Sequence, residues 1–184
     1  MSALDGYVQL QRGIKIDPEF TKLSPAGQWL YFQLLTDVNH IGVADWFPNR
    51  LAMRAEACTE DFVKIAAREL VDTRFAVLDE RSGEILIRSY MKYDGAHKQP
   101  NTCTSMVNAF GSVASLKIKN VISHELTKIW ETIDRQVKAG RVDDAAQKSL
   151  NKRWNILERI MDYPARSADD VYEPAFADLD AIHF

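Results

Sequence analysis

Two cysteines in 184 residues, Cys58 and Cys103, with no CxxC pair, exclude both a disulfide framework and a thiolate zinc finger, and point to a reducing, cytoplasmic setting. The four histidines, His40, His97, His124 and His183, are scattered, and no two stand at metal-ligand spacing with a cysteine, so no metal site is expected. There is no Gly-x-Gly-x-x-Gly, no Walker loop and no nucleophile elbow, which leaves dinucleotide, ATP and acyl-transfer chemistry without a handle. His124 and Glu125 are neighbours on a helix and point in different directions, so they read as two polar residues at the surface rather than an acid–base pair. No cofactor is implied, and the expectation is a protein that is not an enzyme. The polar start Met-Ser-Ala-Leu-Asp-Gly-Tyr offers no apolar signal core, and no run approaches the roughly 18 apolar residues of a membrane span. No internal repeat is present at solenoid periods.

A formal charge of −3 argues against a non-specific nucleic-acid coat, but the charge is unevenly placed. Residues 101–160 hold ten Lys/Arg and six Asp/Glu, a net +4, whereas 161–184 hold one Arg and six Asp/Glu, a net −5. The acidity belongs to the C-terminal stretch.

What is there is organised around Thr59 to Met91. Thr59 is placed to N-cap a helix running through Phe62, with Val63, Ala66, Ala67 and Leu70 as its inward stripe, followed by two β-rich runs, Phe75 to Leu78 and Ile85 to Ile87, around the turn Asp79 to Glu84. A shorter helix, Pro48 to Ala55, precedes it across Glu56-Ala57-Cys58. Helix, turn, helix, hairpin is the order of a winged helix-turn-helix, whose second helix enters a major groove while the hairpin touches the backbone beside it.

Upstream, Tyr7 to Ile16 alternates with Val8, Leu10, Ile14 and Ile16 on one face, which predicts a half-buried strand able to join the hairpin as a third strand. Ser24 as N-cap and Pro25 at the first position start a helix running to about Asn39. That helix is apolar over most of its circumference, so it is expected to be covered twice, with its Trp29/Phe32 face against something C-terminal. Trp46 and Phe47 read as core. After the hairpin, Lys92 to Asn101 is a polar connector ending at a helix start, where Lys98, Gln99 and Asn101 either hold a phosphate or simply cap. Helical patterning then runs from Thr102 to about Ala139 with a break at Gly111-Ser112, and again from about Val142 to Met161. This pair of helices either folds back on the Trp29/Phe32 face or pairs with a second copy of the chain. The stretch after Tyr163, with Asp169, Asp170, Tyr172, Phe176, Leu179 and Phe184, is either a disordered end or a docking peptide, and its charge suits competition for the basic segment before it.

The runs Leu23 to Phe32, Arg68 to Asp79, Leu86-Ile-Arg88, Asp94-Gly95 and Lys98 to Asn101 resemble a family of actinobacterial phage helix-turn-helix proteins, over about residues 7 to 130. Ala67 and Tyr93 depart from that family, which tends to carry leucine and histidine at those positions. The resemblance implies DNA binding in phage replication or regulation, within the cytoplasm of a bacterial host.

The expectation is an α+β chain, mostly α: a winged helix-turn-helix with N-terminal strand over 1–95, a helical extension over 96–163 and an acidic tail over 164–184. The anticipated partner is double-stranded DNA, met by Asn49, Arg50 and Arg54 near the backbone, Lys64 and Arg68 in the groove, Arg81 and Arg88 from the hairpin, and Lys98, Gln99 and Asn101 at the later helix start. Winged helices also serve as docking modules, and the net charge of −1 over Glu60 to Arg74 is poor for a groove and supports the alternative reading, a module that binds a host or phage protein. A homodimer through the C-terminal helices is the further partner considered, and no membrane.

Overall fold

Thr59 does what its position suggests: its side chain accepts the Phe62 N–H at 3.1 Å and opens a helix, Glu60–Asp72, whose buried stripe is Val63, Ala66, Ala67 and Leu70. The computed structural model describes Val8, Leu10 and residues 12–94, 96–139 and 144–163. Within them the order is a 3-10 turn Arg12–Ile16, α1 Pro18–Lys22, α2 Pro25–Leu35, β1 Val43–Asp45, α3 Pro48–Ala52, α4 Glu60–Asp72, β2 Ala76–Asp79, β3 Glu84–Ile87 and α5 Tyr90–Asp94. A second 3-10 turn, Ala96–Lys98, leads to α6 Pro100–Ser112, α7 Leu116–Lys138 and α8 Asp144–Met161. The chain is mostly helical with one small antiparallel sheet, an α+β protein. The stretch 164–184, with His183, and the positions Tyr7, Gly95, Gly140 and Val142 lie outside the described residues.

The sheet has the order β1-β3-β2, with Val43 opposite Leu86 and Val77 opposite Leu86 on the other side. Its alternation explains why the strands read as unbroken apolar runs. Ala44, Ala76, Ile85 and Ile87 join one core with residues of α1 to α4, while Val43, Val77 and Leu86 join a second core with residues of α6, α7 and α8. A sheet covered on both faces needs no polar side.

Several expectations are corrected by this arrangement. The segment ending at Ile16 is not a strand where it is described: Arg12–Ile16 is a 3-10 turn and Ile16 is 82% exposed. Asp17 draws the chain into α1 by accepting the N–H groups of Glu19 at 2.8 Å and Phe20 at 3.2 Å, and the free edge of β3 is taken by β1 instead. Helix α2 stops at Leu35, short of Asn39, because Asn39 turns outward to accept the N–H groups of Ile41 and Val43 and shape the entry to β1. Gly42, at φ +84°, completes that entry; a Cβ there would lie 2.9 Å from the Ile87 carbonyl oxygen. Helix α3 ends at Ala52 rather than Ala55.

Trp29 is covered from an unexpected side. Its ring packs edge-on to Phe62 of α4 at 5.7 Å, and Phe32 packs on Phe20 of α1 at 5.5 Å, so the Trp29/Phe32 face belongs to the first core and not to the C-terminal helices. Those helices fold onto the opposite face of the sheet. Trp46 is buried, but Phe47 is 42% exposed, with the Arg50 guanidinium 4.4 Å above its ring.

Candidate nucleic-acid interface

Helix α4 is fastened at both ends. Toward its C-terminus, Glu69 accepts the Ser24 N–H at 2.7 Å and the Ser24 hydroxyl at 2.5 Å, locking α4 to the N-terminus of α2. Thr73 then caps the helix, and Arg74 takes the left-handed conformation at φ +65° with its N–H on the Val71 carbonyl, the position where glycine is usual. With its inward stripe committed to the core, α4 turns Lys64, Ile65 and Arg68 outward, all exposed. Lys64 pairs with Glu60 at 2.6 Å. Its pKa is raised, first by the hydrogen bond and charge of Glu60 and then by the charges of Asp61 and of Glu80 in the turn of the hairpin. Helix α4 packs against β2, the first strand of the hairpin.

The hairpin is held from its far side by the extension. Glu84 accepts the N–H groups of Ala114 at 2.9 Å and Ser115 at 2.7 Å, Ser115 donates its hydroxyl to Asp79 at 2.6 Å, and Lys117 donates to the Leu78 carbonyl at 3.2 Å. The Ser115 hydrogen bond is the main reason the Asp79 carboxyl is held below its ordinary range. Two acids flanking the turn thus serve the N-terminus of α7, and the tip keeps Glu80 and Arg81 exposed. Acids at both ends of a hairpin turn, with a serine N-cap further along the chain, are the sequence signal for this clamp.

The anticipated contact residues divide into groups. Asn49 and Arg50 are exposed on α3, which packs against α4, and Arg68 and Arg81 are exposed with it. Arg54 is engaged elsewhere: it pairs with Asp37 at 2.6 Å and donates to the Gln33 carbonyl at 3.3 Å, tying α3 to the end of α2. Arg88 leaves the set altogether. It is 4% exposed, donates from Nε and Nη2 to Glu125 of α7 and from Nη1 to the Arg74 carbonyl, and so pins the two layers together from inside. Lys98, Gln99 and Asn101 are exposed at the start of α6, in the layer on the other face of the sheet from α4. Gln99 occupies the N-cap there without a side-chain capping bond.

The chain matches no protein-family model, no curated protein and no solved structure. Its function must therefore be read from its own side chains. Among the described residues no group of three or more His, Cys, Asp or Glu is placed to hold a metal ion, and no helix is long and apolar enough to cross a membrane. One feature of α4 escaped the charge-based reading of its surface: Ile65, in the middle of the outward face, is 65% exposed. A helical wheel of Glu60–Asp72 puts it opposite Val63 and Leu70, which is where an apolar residue contributes to contact rather than to core.

Proposed function

We propose that the protein is a winged helix-turn-helix that binds double-stranded DNA, with α4 as the groove-entering helix and the β2–β3 hairpin as the wing. The observation that supports this reading is the packing of α4 against β2 of the hairpin with Lys64, Arg68 and Arg81 exposed on the two elements, as a helix and wing sit to straddle one groove. Arg68 and Lys64 then reach base edges or phosphates in the groove, Asn49 and Arg50 approach the backbone from α3, and Arg81 meets it from the wing tip. Apolar Ile65 suits contact with a thymine methyl. The resemblance of Leu23 to Asn101 to phage helix-turn-helix proteins supports a part in phage replication initiation or transcriptional regulation, carried out in the cytoplasm of the host without catalysis.

Titrating the affinity for random duplex DNA against salt tests the reading. Four cations in the set predict a log–log slope of roughly −3 to −4. A second reading has its own observation: Glu60, Asp61, Asp72 and Glu80 surround the cations of the α4 face, and with Ile65 they suit a basic, apolar segment of a host or phage protein. Absence of DNA binding at low salt would favour that module over the DNA-binding one.

A further inference from the structure

The fully buried residues of α7 all lie between Ile118 and Leu126, where the helix crosses the sheet. Among residues 128–138, which continue the helix alongside α8, Ile129 still packs against that core, whereas Trp130, Ile133 and Val137 do not. Here Trp130 and Trp154 meet with ring centroids 4.7 Å apart, and together with Ile133, Val137 and Leu150 they line an open groove of about 430 Å³. Two helices alone cannot close such a seam, and nothing else among the described residues lines it.

We propose that a second copy of the chain covers this groove, its own arm packing antiparallel to make a four-helix bundle about a two-fold axis. The argument is the order of charge along one side of α7. Glu131, Asp134, Arg135 and Lys138 stand at i, i+3, i+4 and i+7, so they share one flank of the helix beside the groove. Across a two-fold axis lying midway between positions 134 and 135, Glu131 faces Lys138 of the second copy and Asp134 faces Arg135, each contact occurring twice. A parallel pairing would set every one of these charges against itself. The acidic stretch 161–184 of the same chain, at net −5, complements Arg135 and Lys138 but sets like charge against Glu131 and Asp134, the two that line the groove itself, and is the poorer occupant. In the single chain Asp134 pairs with Lys138 at 2.7 Å and Arg135 bonds Thr132 at 3.1 Å. Such exposed contacts are worth about 0–1 kcal/mol and exchange readily for intermolecular ones. An eleven-residue helical segment is about 16 Å long. Two facing arms of that length bury on the order of 1,000 Å², the lower end for a specific interface, so the dimer is expected to be micromolar rather than obligate.

The pairing does not depend on DNA, and sedimentation of the full chain without DNA, from about 1 to 100 μM, distinguishes its failure from failure of the DNA reading. The expected result is a concentration-dependent monomer–dimer equilibrium. Glu131→Lys alone and Lys138→Glu alone each set like charges together twice and should weaken the dimer roughly tenfold at low salt. Both positions are exposed, and circular dichroism checks that each variant stays folded. An equimolar mixture of the two single variants should dimerise at least as well as the unaltered chain, because each supplies the charge the other lacks. A monomer throughout the range overturns the proposal and leaves the groove to a different protein. A dimer indifferent to both substitutions, or no recovery in the mixture, equally overturns the antiparallel register.

Discussion

The two layers that cover the sheet are built on different plans. The layer of α1 to α4 is closed by aromatic edges: Phe20 sits against Tyr31, Phe32 and Phe75 at 5.3 to 6.1 Å, and Trp29 against Phe62. The layer of α6 to α8 is mainly aliphatic and sulfur-rich under the sheet, with Cys103, Met106, Ile118, Ile122 and Leu126 fully buried and one aromatic edge, Phe110 on Tyr163 at 5.3 Å, while a second aromatic pair, Trp130 and Trp154, stands outside that core and is only partly buried. Length is the reason. Helix α4 has 13 residues, whereas α7 has 23, and a sheet of three- and four-residue strands covers only the first half of such a helix. A layer matched to its sheet completes its core and leaves only scattered apolar side chains exposed, at Ile16, Phe47, Met53 and Ile65. A layer that outgrows its sheet carries apolar surface into solvent, and that surface asks for a partner.

The contact most able to break the comparison is the one joining the layers. Glu125→Ala leaves the buried Arg88 guanidinium without its carboxylate and should cost about 3–5 kcal/mol in urea unfolding, whereas the double substitution Arg88→Met with Glu125→Leu should recover most of the loss. If the single substitution proves mild, the two layers are not pinned there. Next in size is the fastening inside the first layer. A Cβ on Gly27 would lie 2.5 Å from Glu69 Oε2, so Gly27→Ala must push the carboxylate off Ser24. Losing those charge-assisted bonds outweighs the helical gain of alanine, and a net destabilisation of about 1 kcal/mol is expected. In a Glu69→Ala background the same change should turn stabilising, which a double-mutant cycle reads directly.

Smaller effects probe the clamp between hairpin and α7. Asp79 has its pKa lowered from 3.8, chiefly by the Ser115 hydroxyl, so its contribution is present above about pH 4 and is lost as the pH falls through the depressed folded value. The melting temperature of Asp79→Asn should therefore lie slightly below that of the unaltered chain at pH 7, with the difference closing near pH 2. A gap independent of pH would assign the loss to geometry instead of charge. The smallest expected effect on stability is at the tip: Arg81→Ala should leave the melting temperature unchanged while reducing the salt slope of DNA binding by roughly one unit.

How much of this was readable from residues alone follows from the range of each interaction. Helix α4 was legible because its cap Thr59 and its stripe Val63, Ala66, Leu70 lie within one local window, and the hairpin because Phe75 to Leu78 and Ile85 to Ile87 bracket a polar turn. The third strand was sought at Tyr7 to Ile16 because alternation needs length to be visible, and Val43–Asp45 is three residues long. Arg88 ends an apolar strand and reads as an exposed cation; its partner Glu125 is 37 residues away, and no periodicity links them. The cover for Trp29 was sought in the extension because α2 is apolar nearly all round, so its own pattern cannot say which neighbour lies on which side. Phe62 stands next to the inward stripe of α4 and is partly buried, where its ring meets Trp29.

The central claim, that α4 and the hairpin turn together form a DNA-binding face, is tested most directly by amide chemical-shift mapping of the full chain with a short DNA duplex at low salt. The account predicts that shifts concentrate on Lys64 to Arg68 and Glu80 to Gly83, with weaker ones at Asn49 and Arg50, while the groove around Trp130 and Trp154 stays silent. Shifts confined to α6, α7 or α8, or none at any duplex concentration, would contradict it.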